Sequence, residues 1–132
     1  MPLEMRITGP SKATLSPYKG HNLGSASIEV LTLEVMNEIW PAYAQEVLDK
    51  WMDLKDRDGN YLSTRPHWAK EWAPYKVRGQ PMIDYLRDTY SVAIPEFHKH
   101  LELISARQGW KLEDARKRFS NELFDELIYK QA

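Results

Sequence analysis

Eight consecutive residues carry the densest chemistry in this chain: Arg65-Pro66-His67-Trp68-Ala69-Lys70-Glu71-Trp72. They combine cations, an imidazole, a carboxylate and two indoles. No simple periodicity accounts for them. On a helix, His67 and Lys70 would share one side and Trp68 and Trp72 another. On a strand, polar and aromatic residues would fall on both faces. Pro66 fixes its own φ and favours an extended Arg65. The expectation is an extended run into a short turn or helix, buried by its aromatic side chains, with the cation and the imidazole pointing inward. A buried ammonium is costly unless paired, so a chain that keeps Lys70 there has a use for it. The plain alternative is a surface lysine in a loop.

Other chemistry-bearing residues are scattered. Glu29 sits inside a β-branched run, where a carboxylate is uncommon; it reads either as a solvent-facing strand residue or as an acceptor for polyol hydroxyls. Tyr18, Lys19 and His21 lie in a loop and could line a pocket. Asp56-Arg57-Asp58-Gly59-Asn60 resembles the start of a calcium loop, but too few carboxylates follow and the closing position is not acidic. His98 and His100 diverge by about 200° on a helix, cannot share a metal, and read as solvated. Cysteine is absent, which removes thiol nucleophiles, thiolate metal sites and disulfides. No Gly-x-Ser-x-Gly elbow is present. No metal site is expected.

The elements that must position these residues read as follows. Residues 1–24 are irregular, apart from an alternation of Leu3, Met5 and Ile7 that suits a short strand; Gly9-Pro10, Ser16-Pro17 and Gly20 punctuate a loop. Residues 25–132 form the second segment. Ser25–Thr32 reads as a strand, with Ile28 and Val30 on one face and Glu29 and Leu31 on the other. Leu33–Leu54 is the strongest helix, with Met36, Ile39, Trp40, Tyr43, Val47 and Trp51 along one stripe. Pro41 either kinks it or opens a second helix. Residues 56–60 make a polar turn. Pro81 begins a helix to about Tyr90, and Pro95 another to Gln108, stopped by Gly109. Lys111–Arg118 is charged and exposed. Phe119–Ile128 is a last amphipathic turn or two, with Phe119, Leu123, Leu127 and Ile128 inward. The fold class is α+β: a small, incomplete antiparallel sheet covered by several helices. Such a sheet leaves an open edge and an apolar face that favour aggregation.

At 132 residues, with 42% hydrophobic and 28% charged side chains, the chain has the composition of a soluble domain with a real core. With 18 basic against 19 acidic residues, no basic excess points to nucleic acid. No apolar run approaches the ~18 residues of a membrane span, and Met-Pro-Leu-Glu-Met-Arg lacks the apolar core of a signal peptide. A cytoplasmic location is the default. The five tryptophans, seven tyrosines and three phenylalanines serve either core packing or a sugar-facing pocket, where flat apolar rings meet the C–H faces of polyols.

The Arg65–Lys70 run resembles the His-Trp-Gly/Ala-Lys motif of the sugar-1,4-lactone oxidases and alditol oxidases, FAD-linked flavoproteins of the vanillyl-alcohol-oxidase type. Downstream, Asp114, Phe119 and Asn121 keep the spacing of that family's Asp-Pro-x-Gly-x-Phe-x-Asn, with Ala115 in place of the proline and Lys117 in place of the glycine. The likeness runs from about Ser25 onward. It implies the C-terminal substrate, or cap, domain of a D-arabinono-1,4-lactone oxidase-like enzyme that oxidises a CH–OH group of a sugar lactone or polyol. By that resemblance Lys70 and His67 are the catalytic candidates: a fixed cation beside developing negative charge, and a group for positioning or proton handling. Glu29 and Arg65 are substrate-binding candidates, and Asn121 a cofactor-binding one. Trp68 and Trp72 read as packing. Family members are much longer, and the glycines here form no phosphate-cradling run. The resemblance therefore implies that FAD is bound mainly by a domain absent from this chain, or by a subunit in trans, and that the isolated chain is inactive. Some family members associate with membranes. The rival reading is a non-enzymatic, Trp/Tyr-rich module that binds a sugar or a protein.

Overall fold

The computed structural model describes residues 3–130; the outermost residues of both sequence segments, including the first two of the N-terminal run, lie outside the described residues. Among the described residues the fold is α+β, with five helices and two small antiparallel sheets of two strands each. The chain forms two compact units, which divide after Tyr85; Ala13–Leu15 belongs with the second.

In the first unit, β1 (Leu3–Thr8) and β2 (Ser25–Val30) pair antiparallel, with Leu3 opposite Val30, Met5 opposite Ile28 and Ile7 opposite Ala26. The pairing carries β1 across the residue-25 boundary drawn from sequence. Directly opposed residues share a face, so one face is apolar and the other holds Glu4, Arg6, Thr8, Ser25, Ser27 and Glu29. Gly24 brings the loop tightly back to the ribbon. Its φ is 96°, and a Cβ there would lie 2.7 Å from the Thr8 carbonyl oxygen.

The long predicted helix is broken. A 3₁₀ turn covers Glu34–Met36, and α1 runs Trp40–Met52 with Pro41 in its first turn. Of the two roles open to Pro41, the structure shows the helix-opening one: a residue without an N–H loses nothing there. The buried line on α1 is Ala44 and Met52; Ile39 is 56% exposed, because it lies ahead of the helix rather than on its stripe.

β3 (Lys76–Val77) and β4 (Gln80–Pro81) form a minimal hairpin. Arg78 and Gly79 both have positive φ, 49° and 82°, the signature of a two-residue turn matched to strand twist. Arg78 is held there by a bond to the Met52 carbonyl (2.8 Å) and by stacking 4.2 Å from the Tyr61 ring centroid. The Gln45 amide on α1 takes the place of a third strand: it accepts from Lys76 N–H and donates to Lys76 O, both at 2.9 Å. Trp72, Tyr75, Val77 and Met82 are buried in this unit.

Helix α2 (Met82–Thr89) begins after Pro81 and leads into the second unit. There α3 (Ala93–Gln108) ends at Gly109 in the left-handed region, and α4 (Leu112–Phe119) leads through Ser120 to α5 (Glu122–Phe124) and a π turn, Asp125–Tyr129. Leu86, Tyr90, Ile94, Leu127 and Ile128 are buried. Phe119, expected inward, is 74% exposed: it is the last residue of α4, where the chain leaves the helix. His98, expected solvated, is half-buried, its Nε2 bonded to the Ile128 carbonyl, whereas His100 is exposed, with Nδ1 3.4 Å from Thr14 Oγ1.

The α4–α5 corner is tied by Asp125, which accepts from Arg116 Nε at 2.7 Å and Ser120 Oγ at 2.9 Å. The Arg116 bond first, and then the Ser120 bond, hold its carboxyl below the ordinary aspartate range. The folded carboxyl therefore gives up its proton more readily than the unfolded one. The corner is stabilised above about pH 3.9, the unperturbed value, and that stabilisation is lost as pH falls through the lower folded value. An NMR titration of Asp125 will show a depressed midpoint, and S120A will move it upward. Met82 is 0% exposed. Met82→Ala will cost about 2–5 kcal/mol in urea unfolding, whereas Leu23→Ala, at a fully exposed site, will change stability by less than about 0.5 kcal/mol.

Candidate functional site

The polar face of the ribbon is where two of the nominated residues, Glu29 and Lys70, meet. Ser25, Ser27 and Glu29 point to that face because they alternate along β2 with Ala26, Ile28 and Val30. The 16–21 loop is fastened to it: Tyr18 Oη lies 3.0 Å from Ser27 Oγ, and His21 Nδ1 2.6 Å from Ser25 Oγ. Arg65 reaches into the same loop. Its guanidinium donates to the carbonyls of Lys19 (2.8 Å) and Pro17 (3.3 Å). Arg65 thus acts as a positioning residue, anchoring the extended strip to the loop through backbone oxygens.

Beyond Arg65 the chain runs without regular structure to His67, then turns. Lys70 N–H bonds the His67 carbonyl at 3.0 Å, and Ala69 N–H donates to His67 Nδ1 at 3.2 Å. The turn aims Lys70 back at β2, where Nζ lies 3.0 Å from Glu29 Oε1. Two candidates 41 residues apart are thereby joined. Trp72 turns inward and is 2% exposed; its ring meets Trp68 edge-on, with centroids 6.2 Å apart.

The inward cation and imidazole do not occur. Lys70 and His67 are both exposed, the Lys70 side chain by 53%, and Glu29 is partly covered at 30%. The turn at 68–71 separates the faces: the indole of Trp72 takes the inside, and the ammonium stays where water reduces its burial cost. The Trp72 indole N–H finds no acceptor among the described residues.

The bond to His67 Nδ1 fixes what its ring can offer. With that lone pair used, neutral His67 presents Nε2–H outward, a donor suited to holding an oxygen rather than to removing a proton. The 67–70 turn and β2 thus carry an imidazole, an ammonium and a carboxylate, the last two joined at 3.0 Å. Sequence reasoning named each of these residues but missed that Tyr18 and His21 brace β2 rather than line a pocket. The period-two placement of Ser25 and Ser27 is the signal that would have shown it.

Asn121 lies in the other unit, where its side-chain oxygen accepts from Phe124 N–H at 2.9 Å and caps α5. A shallow hollow in that unit is lined by Glu113, Arg116, Lys117, Ser120 and Asp125. No group of three His, Cys, Asp or Glu side chains among the described residues could hold a metal ion, and no helix among them is long and apolar enough to cross a membrane. FAD needs backbone held open against its pyrophosphate. The positive-φ glycines Gly20, Gly59, Gly79 and Gly109 stand at separate turns, where a Cβ would meet open space, and Gly24 is closed by Thr8. Among the described residues these glycines form no phosphate-cradling run.

An exposed ion pair of this geometry contributes little to folding. A double-mutant cycle on Glu29→Gln and Lys70→Met will give a coupling below about 1 kcal/mol; a coupling of several kcal/mol in urea unfolding would make the pair a structural bridge. No protein-family model, curated protein or solved structure matches this chain.

Proposed function

We propose that this chain supplies the substrate-facing part of a flavin-dependent oxidoreductase that oxidises a CH–OH group of a sugar lactone or polyol. The observation that carries the reading is the Lys70–Glu29 pair, 3.0 Å apart, with His67 in the same turn as Lys70. It joins residues that the family motif and the strand pattern nominate independently. In this reading Lys70 donates to the substrate oxygen and stabilises negative charge developing on it. Glu29 accepts from a neighbouring hydroxyl, and the His67 Nε2–H holds a further oxygen. Arg65 keeps the strip in place. FAD is held mainly by a flavin-binding domain or by a subunit in trans, with Asn121 as the residue the family pattern would bring near it. A cytoplasmic location, with membrane association as in some family members, belongs to the same reading.

The exposure of Lys70 and His67 favours one rival: a non-enzymatic module that takes a sugar or a protein on this surface. Titrating the chain with a sugar-1,4-lactone or an alditol, followed by NMR, tests whether this surface takes a polyol, and turnover in the FAD-loaded assembly separates the two readings. The oxidase reading expects shifts at Glu29, His67 and Lys70 and weakening of tenfold or more in K70M, about 1.4 kcal/mol. In an assembly that carries FAD, K70M will lower kcat by about 10²–10³ with little loss of stability. Equal losses of binding and stability with unchanged turnover would favour the module.

A further inference from the structure

We propose that β1 pairs edge to edge, antiparallel and centred on Met5, with β1 of a second copy of this chain. The inference is independent of the oxidase reading. Among the described residues β2 is the sole strand paired with β1, so the outer edge of β1 presents unpaired backbone groups, the standing template for another strand. Leu3, Met5 and Ile7 are 64%, 61% and 73% exposed.

The sequence of this edge commits it to itself. Leu3-Glu4-Met5-Arg6-Ile7 alternates apolar, acidic, apolar, basic, apolar. In an antiparallel pair about Met5, Leu3 falls opposite Ile7 of the second copy and Met5 opposite Met5. Glu4 falls opposite Arg6, and Arg6 opposite Glu4. Directly opposed residues share a face, so the apolar pairs line one face and two opposite-charge pairs the other. A two-fold axis requires this kind of self-complementarity. Within one copy Arg6 folds back on Glu4 at 2.7 Å; pairing exchanges that contact for two across the axis. The outer edge of β2 offers no such match: centred on Ile28 it would set Ser27 against Glu29, and Glu29 is already bonded to Lys70. Charges on an edge block pairing when they repel; here their order attracts.

Sedimentation equilibrium of the full chain will give twice the 15.5 kDa chain mass, with dissociation promoted by salt. Arg6→Glu and Glu4→Arg will each run as monomers with unchanged circular dichroism, because each sets like charges opposite one another. Mixed together they will dimerise, since the two carboxylates of one variant then face the two guanidinium groups of the other. The chain has no cysteine, so Met5→Cys will form an interchain disulfide on mild oxidation. Leu3→Cys will not, because the two Leu3 positions stand about 13 Å apart at ~3.3 Å per residue, beyond disulfide reach. A monomeric parent chain, a dimeric Arg6→Glu variant, or Leu3→Cys cross-linking as fast as Met5→Cys would each overturn the proposal.

Discussion

The antiparallel register of β1 on β2 decides what the first unit can present. Because Glu4 stands opposite Glu29 and Met5 opposite Ile28, the ribbon is sorted into a polar and an apolar face with no mixing. The polar face is the one that the 16–21 loop and the 65–70 turn lie against. A slip of one residue would exchange the faces, turning Ile28 toward Tyr18 and Lys70 and sending Glu29 to the far side. Every candidate contact in that unit presupposes this register. Gly24, with no room for a side chain beside Thr8, closes the loop that sets it.

On that face the division of labour is between backbone and side-chain partners. Arg65 bonds to carbonyl oxygens, whose position depends on the course of the loop and not on loop side chains. Lys70 and Glu29 bond to each other through flexible chains at the surface. The first kind of contact fixes geometry; the second can be exchanged, since an arriving hydroxyl can take either partner's place at small cost.

Local signals in the sequence were enough for the α+β class, for β1 and β2, for the turn at Asp56–Asn60, and for the stop at Gly109. Each depends on residues within a few positions of one another. Alternation places Leu3, Met5 and Ile7 together, and a left-handed glycine ends α3. What stayed hidden depends on distance along the chain. Nothing near Lys70 announces a carboxylate 41 residues earlier. Nothing in the His98 neighbourhood announces the Ile128 carbonyl that holds it. Phe119 fits an amphipathic stripe, but a stripe does not show where a helix ends. The 65–72 segment was legible as irregular, yet its inside and outside were assigned the wrong way for Lys70 and His67, because a turn reverses faces without any periodic mark.

The two sheets end in opposite ways. At β3 a glutamine side chain occupies both hydrogen-bonding positions of Lys76, and at β4 Pro81 stands opposite Lys76 with no N–H to leave over. That sheet is chemically finished, and its finish depends on one carboxamide having both a donor and an acceptor end. Deamidation of Gln45 would exchange the donor for a second anionic oxygen directed at the Lys76 carbonyl and the Asp49 carboxylate. Slow chemical ageing at a single side chain would thus loosen the hairpin from its helix and open the Lys76 edge to another strand.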